Sequence, residues 1–150
     1  MSLYLALKLV HILFAMVAVG TNFSYAFWLR LAGNDRDRIA HTLESIHRLD
    51  MWLANPAYVI VLLAGIGMVV VGPYPITTPW ILLAIVLYVL VALLGITLYA
   101  PAVRRQRAAA LADPNSGDYR RAARRSNLLG LVAVAIVTVI VFLMVLKPGF

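Results

Sequence analysis

The sequence predicts an all-α fold, an antiparallel bundle of four transmembrane helices with both termini on the outer side. Three observations carry that prediction. Hydrophobic residues make up 63% of the 150 positions and charged ones only 13%, and mean hydropathy is +0.92, well beyond the composition of a soluble domain. The apolar residues fall into four runs, about 3–29, 51–71, 79–103 and 128–146, each near the roughly 20 residues that a bilayer crossing requires. All eleven arginines stand in two of the connections between those runs: Arg30, Arg36, Arg38 and Arg48 in one, and Arg104, Arg105, Arg107, Arg120, Arg121, Arg124 and Arg125 in another.

The first run follows Met1-Ser2 without a basic leader, so it is expected to be a retained helix rather than a cleaved signal peptide. In the connection 30–50 the four arginines face Asp35, Asp37, Glu44 and Asp50, and the charges balance. Asn34 or Asp35 can cap a helix there, and Ile39, Leu43, Ile46 and Leu49 (or Asp50) recur at spacings of three and four. This pattern predicts a short amphipathic cytoplasmic helix, lying at the interface or running straight into the second span. The connection Gly72 to Pro79, GPYPITTP, has three prolines and no charge. It reads as a tight, rigid turn that pairs the second and third spans as a hairpin.

The connection 104–127 sets seven arginines against Asp113 and Asp118, with a turn at Asp113-Pro114-Asn115-Ser116-Gly117. Basic residues are retained on the cytoplasmic side, so both arginine-bearing connections are placed inside and both termini outside. The whole chain, 1–150, is then one multi-pass domain of the inner (plasma) membrane, in contact with lipid. Topology accounts for the net charge of +7, so no nucleic-acid partner is inferred. The absence of cysteine excludes disulfides, thiolate metal sites and cysteine nucleophiles. Asn55-Pro56 and Pro101 mark where helices bend and release carbonyls. Gly65, Gly67, Gly95 and Gly130 allow close helix contact.

Polar side chains in the first span are not scattered. Tyr4, Lys8, His11, Ala15, Ala18, Asn22 and Tyr25 follow the helical spacing and share one face, which is expected to point into the bundle because polar groups in hydrocarbon are costly. His11 lies about 12 Å below the outer boundary at 1.5 Å per residue, where a neutral imidazole can serve as an iron ligand or proton relay. The alternative is a histidine satisfied by a facing hydroxyl or carbonyl. Asn22 and Tyr25 suit interhelical hydrogen bonds or an interfacial belt, and Trp28, Trp52 and Trp80 suit the belt alone. His41 and His47 are six residues apart and do not share a helical face. No Gly-rich phosphate loop, no HExxH motif and, with Asp50 at a boundary, no carboxylate within a span is present, which disfavours a proton pump.

The stretches LKLVHILFAMVAVGTNF, RLDMWLANPAYVIVLLAGIGMVV and VFLMVLKPGF resemble, in order and over nearly the whole chain, a bacterial family of predicted small integral membrane proteins of unassigned function. That family is in turn loosely similar to the haem-containing membrane protoporphyrinogen oxidases and to the membrane domain of copper-resistance proteins. In the oxidases the resemblance points to a first-helix histidine of the L-K-x-x-H type, which His11 matches, and to a lysine just after a tryptophan in the third helix. Here that stretch is Trp80-Ile81-Leu82-Leu83-Ala84, without a lysine. The resemblance implies a b-type haem or porphyrin held through His11, with Lys8, Asn22 and Tyr25 as further cofactor-binding candidates and His11 as the metal ligand. The alternative is a non-enzymatic bundle, lipid-binding or an accessory subunit of a homo-oligomer or larger membrane complex, in which Lys8 and His11 are structural. Met16, Met51, Met68 and Met144 lack the close spacing that copper handling would need.

Overall fold

The computed structural model describes residues 2–149, and among these all regular structure is helical. Helix α1 spans Leu3–Ala32, α2 Arg36–Leu49, α3 Asn55–Val71, α4 Pro79–Leu94, α5 Ala100–Ala112 and α6 Gly117–Leu146. Side-chain caps explain several starts: Ser2 accepts from the Leu5 amide at 3.4 Å, Asp35 from Arg38 at 2.8 Å and Ser116 from Tyr119 at 3.1 Å. Gly33, at φ +62, ends α1 in a left-handed conformation that glycine adopts without Cβ strain. Pro79 opens α4, where a missing N–H costs no helical bond.

Helices α2 and α3 are joined by a π-helical turn, Asp50–Ala54, and α4 and α5 by another, Gly95–Tyr99. Both turns end just before a proline. In the first, the Asn55 amide reaches back five residues to the Asp50 carbonyl ahead of Pro56; in the second, Ala100 reaches Gly95 ahead of Pro101. A proline ring crowds the carbonyl four residues earlier, and the wider turn relieves that crowding without breaking the helix. The bends expected at Asn55-Pro56 and Pro101 are therefore π turns inside continuous helices.

Four helical stretches are long and apolar enough to cross a membrane: Leu3–Ala32, Arg36–Val71, Pro79–Ala112 and Gly117–Leu146. Each exceeds its apolar run, because arginine and alanine favour helix as readily as leucine does. The excess lies at one end. There Ile39 and Leu43 of α2 pack with Ala32 of α1 and Ala110 of α5 into a buried cluster, flanked by Leu29, Val103 and Tyr119. Glu44 ties it together, accepting from Arg107 at 2.6 Å and from Arg48 at 3.2 Å.

Pairing within the bundle is uneven. α1 lies along α3, and α4 and α5 lie along α6, whereas α3 and α4 do not approach closely at the backbone. The turn at 72–78 therefore does not make a tightly packed hairpin of its two helices. Instead Val69 of α3 reaches the cluster of Trp80, Ile81, Ala84 and Leu143, and the Tyr88 hydroxyl of α4 donates to the Tyr58 carbonyl of α3 at 2.9 Å.

Candidate functional site

The face of α1 that meets α3 is set by glycines. Leu7 packs at Gly67, His11 at Gly65 and Tyr4 at Gly72, while Ala18, Ala54 and Ala57 are fully or almost fully buried in the same seam. Small residues let the two backbones draw together. His11 fills the notch over Gly65, where an added Cβ would stand 3.2 Å from Cε1, and its Nδ1 is 2.8 Å from the Val61 carbonyl. A carbonyl can only accept, so in the neutral ring Nδ1 carries the proton and Nε2 keeps its lone pair.

Lys8 does not share this seam. Its side chain is exposed, and Leu7 takes the inward position. At 100° per residue Leu7 lies about 40° from His11 on one side and Lys8 about 60° on the other; both satisfy the spacing, and packing selects the apolar one. Tyr4, His11, Ala18, Asn22 and Tyr25 of the polar stripe do face α3.

A second polar group forms at the other end of the seam. Asn22 donates to the Ala18 carbonyl and to the Tyr58 hydroxyl, both at 2.9 Å, so Tyr58 receives α1 through its hydroxyl and α4 through its carbonyl. Tyr25, 4% exposed, donates to the Asp50 carboxylate at 2.6 Å. The Tyr99 ring, in the second π turn, rests at Gly130 of α6. Asp50, half-buried at the opening of the first π turn, is thus tied to α1 through the Tyr25 hydroxyl.

Three of these residues, Tyr58, Tyr88 and Tyr99, are not singled out by the sequence. Asp50 is there the alternative to Leu49 in the spacing of Ile39, Leu43 and Ile46, and it is Asp50 that continues the buried face, whereas Leu49 is 37% exposed. Chemically, the cluster is a carboxylate with a phenol donor, joined across helices by an amide and further phenols. It orients and locks helices and can hold a proton.

His11 stands apart from this group, since eleven residues of helix, about 16 Å, separate it from Asn22. Asn22 and Tyr25 are therefore brought together, and Lys8 and His11 do not join them. Bis-histidine haem ligation within one chain is a poor fit. His11 offers Nε2, but His41 and His47 belong to α2, about 20 Å or more along the chain of helix from the Val61 level. Among the described residues no group of three or more His, Asp or Glu side chains could hold a metal ion. Open grooves include one of about 400 Å³ beside His47, Arg48, Met51 and Trp52 and one of about 370 Å³ between α5 and α6, neither lined by His11 or Asp50.

Comparison with known proteins agrees with the four candidate spans. No curated protein and no solved structure matches the chain. The model of one family, described as "Predicted integral membrane protein (DUF2269)", matches residues 5–148, and since that is nearly the full length, the chain belongs to this family of integral membrane proteins.

Proposed function

We propose that the protein is a non-enzymatic membrane bundle, lipid-binding or an accessory subunit of a homo-oligomer or larger membrane complex, in which His11 is a clamp between helices. The observation that carries this reading is the His11 ring seated over Gly65 with Nδ1 donating to the Val61 carbonyl. A half-buried imidazole so held satisfies its N–H and fixes the register of α1 on α3. Lys8, exposed toward the outer end, is free to extend its amine to the headgroups. The positive-inside bias supports placing both termini outside and the α2 and α5–α6 arginines in the cytoplasm of a plasma membrane.

The test is an absorption spectrum of the detergent-purified protein, oxidised and dithionite-reduced, with and without added haemin. A structural His11 gives no Soret band in any state, and His11→Ala changes stability alone. A Soret band that is abolished in His11→Ala would overturn this reading in favour of a b-type haem ligated through Nε2, with its second ligand absent, weak or supplied by another chain.

A further inference from the structure

We propose that the groove between α5 and α6 binds the phosphate of an anionic phospholipid. The groove is lined by Arg105, Arg121 and Arg125, with Asp118 at its far end and alanines such as Ala102 and Ala122 along its floor. Asp118 pairs with Arg121. Among the described residues Arg105 and Arg125 have no carboxylate within salt-bridge distance, so two exposed guanidinium groups face a depression whose one carboxylate, Asp118, is taken up by Arg121. Alanine makes that depression. Ala102 is almost fully buried and Ala109 and Ala122 are half-buried, so small side chains floor the depression between α5 and α6 and leave the arginine stems rising on either side. Planar guanidinium forks match phosphate oxygens bidentately.

Position identifies the occupant as a lipid. Arg121, Arg125, Leu128 and Val132 succeed one another at spacings of four, three and four, so on α6 the arginines and the exposed leucine share a face; Leu98, in the π turn that leads into α5, lies on the apolar side of Arg105. Leu128 is 60% exposed and Leu98 44%. Leu128 begins about 4.5 Å beyond Arg125 and Leu98 about 10 Å beyond Arg105. One continuous surface therefore presents cations and then, within the length of a headgroup, bare hydrocarbon. A diffusing phosphate would use only the first part; a phospholipid uses both.

The inference rests on the reading of the chain as a non-enzymatic bundle, yet haemin uptake at His11 would remove that reading and leave the lipid result standing. The experiment is native mass spectrometry of the delipidated full chain in neutral detergent, titrated with dioleoyl phosphatidylglycerol or dioleoyl phosphatidylcholine. Expected is tighter binding of phosphatidylglycerol by roughly 10- to 30-fold, from a gain of about fivefold per arginine near an anionic group. That preference is lost in Arg105→Gln/Arg125→Gln and kept in Arg36→Gln/Arg38→Gln, which removes exposed arginines of α2. Wild-type protein supplies a check that needs no variant: raising salt weakens phosphatidylglycerol binding and leaves phosphatidylcholine unchanged. Equal binding of the two lipids, or a preference undiminished in the groove variant, overturns the proposal. Displacement of the lipid by millimolar inorganic phosphate, with the chainless headgroup glycerophosphoglycerol binding as well as the lipid, assigns the groove to free phosphate and overturns it too.

Discussion

Gly65 and His11 are expected to behave as one unit, and a double-mutant cycle measures it. Replacing a helical glycine with alanine ordinarily stabilises by about 1 kcal/mol. Here the new Cβ would lie 3.2 Å from His11 Cε1 and 3.4 Å from Nδ1, inside the ordinary 3.5–4.0 Å contact. The ring must retreat by about 0.3–0.5 Å, which lengthens the 2.8 Å bond to Val61 and removes part of an intramembrane hydrogen bond worth about 0.6–1.7 kcal/mol. Gly65→Ala alone is thus expected to fall between neutral and about 1 kcal/mol destabilising. His11→Ala removes the bond and the ring together and destabilises by about 1–3 kcal/mol, but it also empties the notch. In that background Gly65→Ala recovers its full gain. The coupling energy is about 1–2 kcal/mol, or some 2–8 °C of non-additivity in Tm at about 2–4 °C per kcal/mol. Thermal melts of the four proteins in one detergent, followed by circular dichroism, provide the numbers. Additivity within about 0.5 kcal/mol would show that His11 does not occupy the Gly65 notch, and the clamp reading would fall with it.

Further outcomes follow from the same geometry. Tyr25→Phe leaves Asp50 without its 2.6 Å donor and should destabilise by about 1.5–3 kcal/mol, the range for a hydrogen bond to a charged group; a melt unchanged within 0.5 kcal/mol would dismiss that bond. Gly72→Ala should lower Tm by several degrees, since its Cβ would collide with the Met68 carbonyl and stand 2.8 Å from the Tyr4 ring. Lys147 sits 5.0 Å from the Tyr74 ring centroid and 5.9 Å from that of Trp80, so Lys147→Gln should cost about 0.5–1 kcal/mol, readable as a small Tm loss with an altered Trp emission. Because the chain has no cysteine, single cysteines report topology directly: Ile76→Cys should label from outside intact cells and Asn115→Cys only after permeabilisation. The reverse pattern would invert the orientation.

Hydropathy locates where hydrocarbon surrounds a helix, not where the helix stops. The third apolar run ends near Val103, yet α5 continues to Ala112, because arginine, glutamine and alanine in 104–112 sustain helix in water. Periodicity placed His11, Asn22 and Tyr25 on the face that meets α3, and it offered Lys8 with equal warrant, since spacing does not weigh a cation against a leucine at a tight seam. Asp50 was assigned to a boundary because a charge ends an apolar run; its partner hydroxyl stands 25 positions earlier, a relation that only the register of α1 on α3 creates. The same register unites Asn22 with Tyr58, and through it with Tyr88. The prolines announced bends, but that these become π turns, one of them opening at Asp50, depends on backbone bonds that no residue type specifies.

The excess helix at one end gives the molecule a lopsided build. A helix of 34 residues, Pro79–Ala112, is about 51 Å long at 1.5 Å per residue, against about 30 Å of hydrocarbon. Some 20 Å is left to stand in water on the arginine-bearing side, where α2 braces it, while the opposite side offers the 72–78 turn and the ends of α1 and α6. A soluble protein arriving from one compartment would meet a folded platform. From the other it would meet the 72–78 turn.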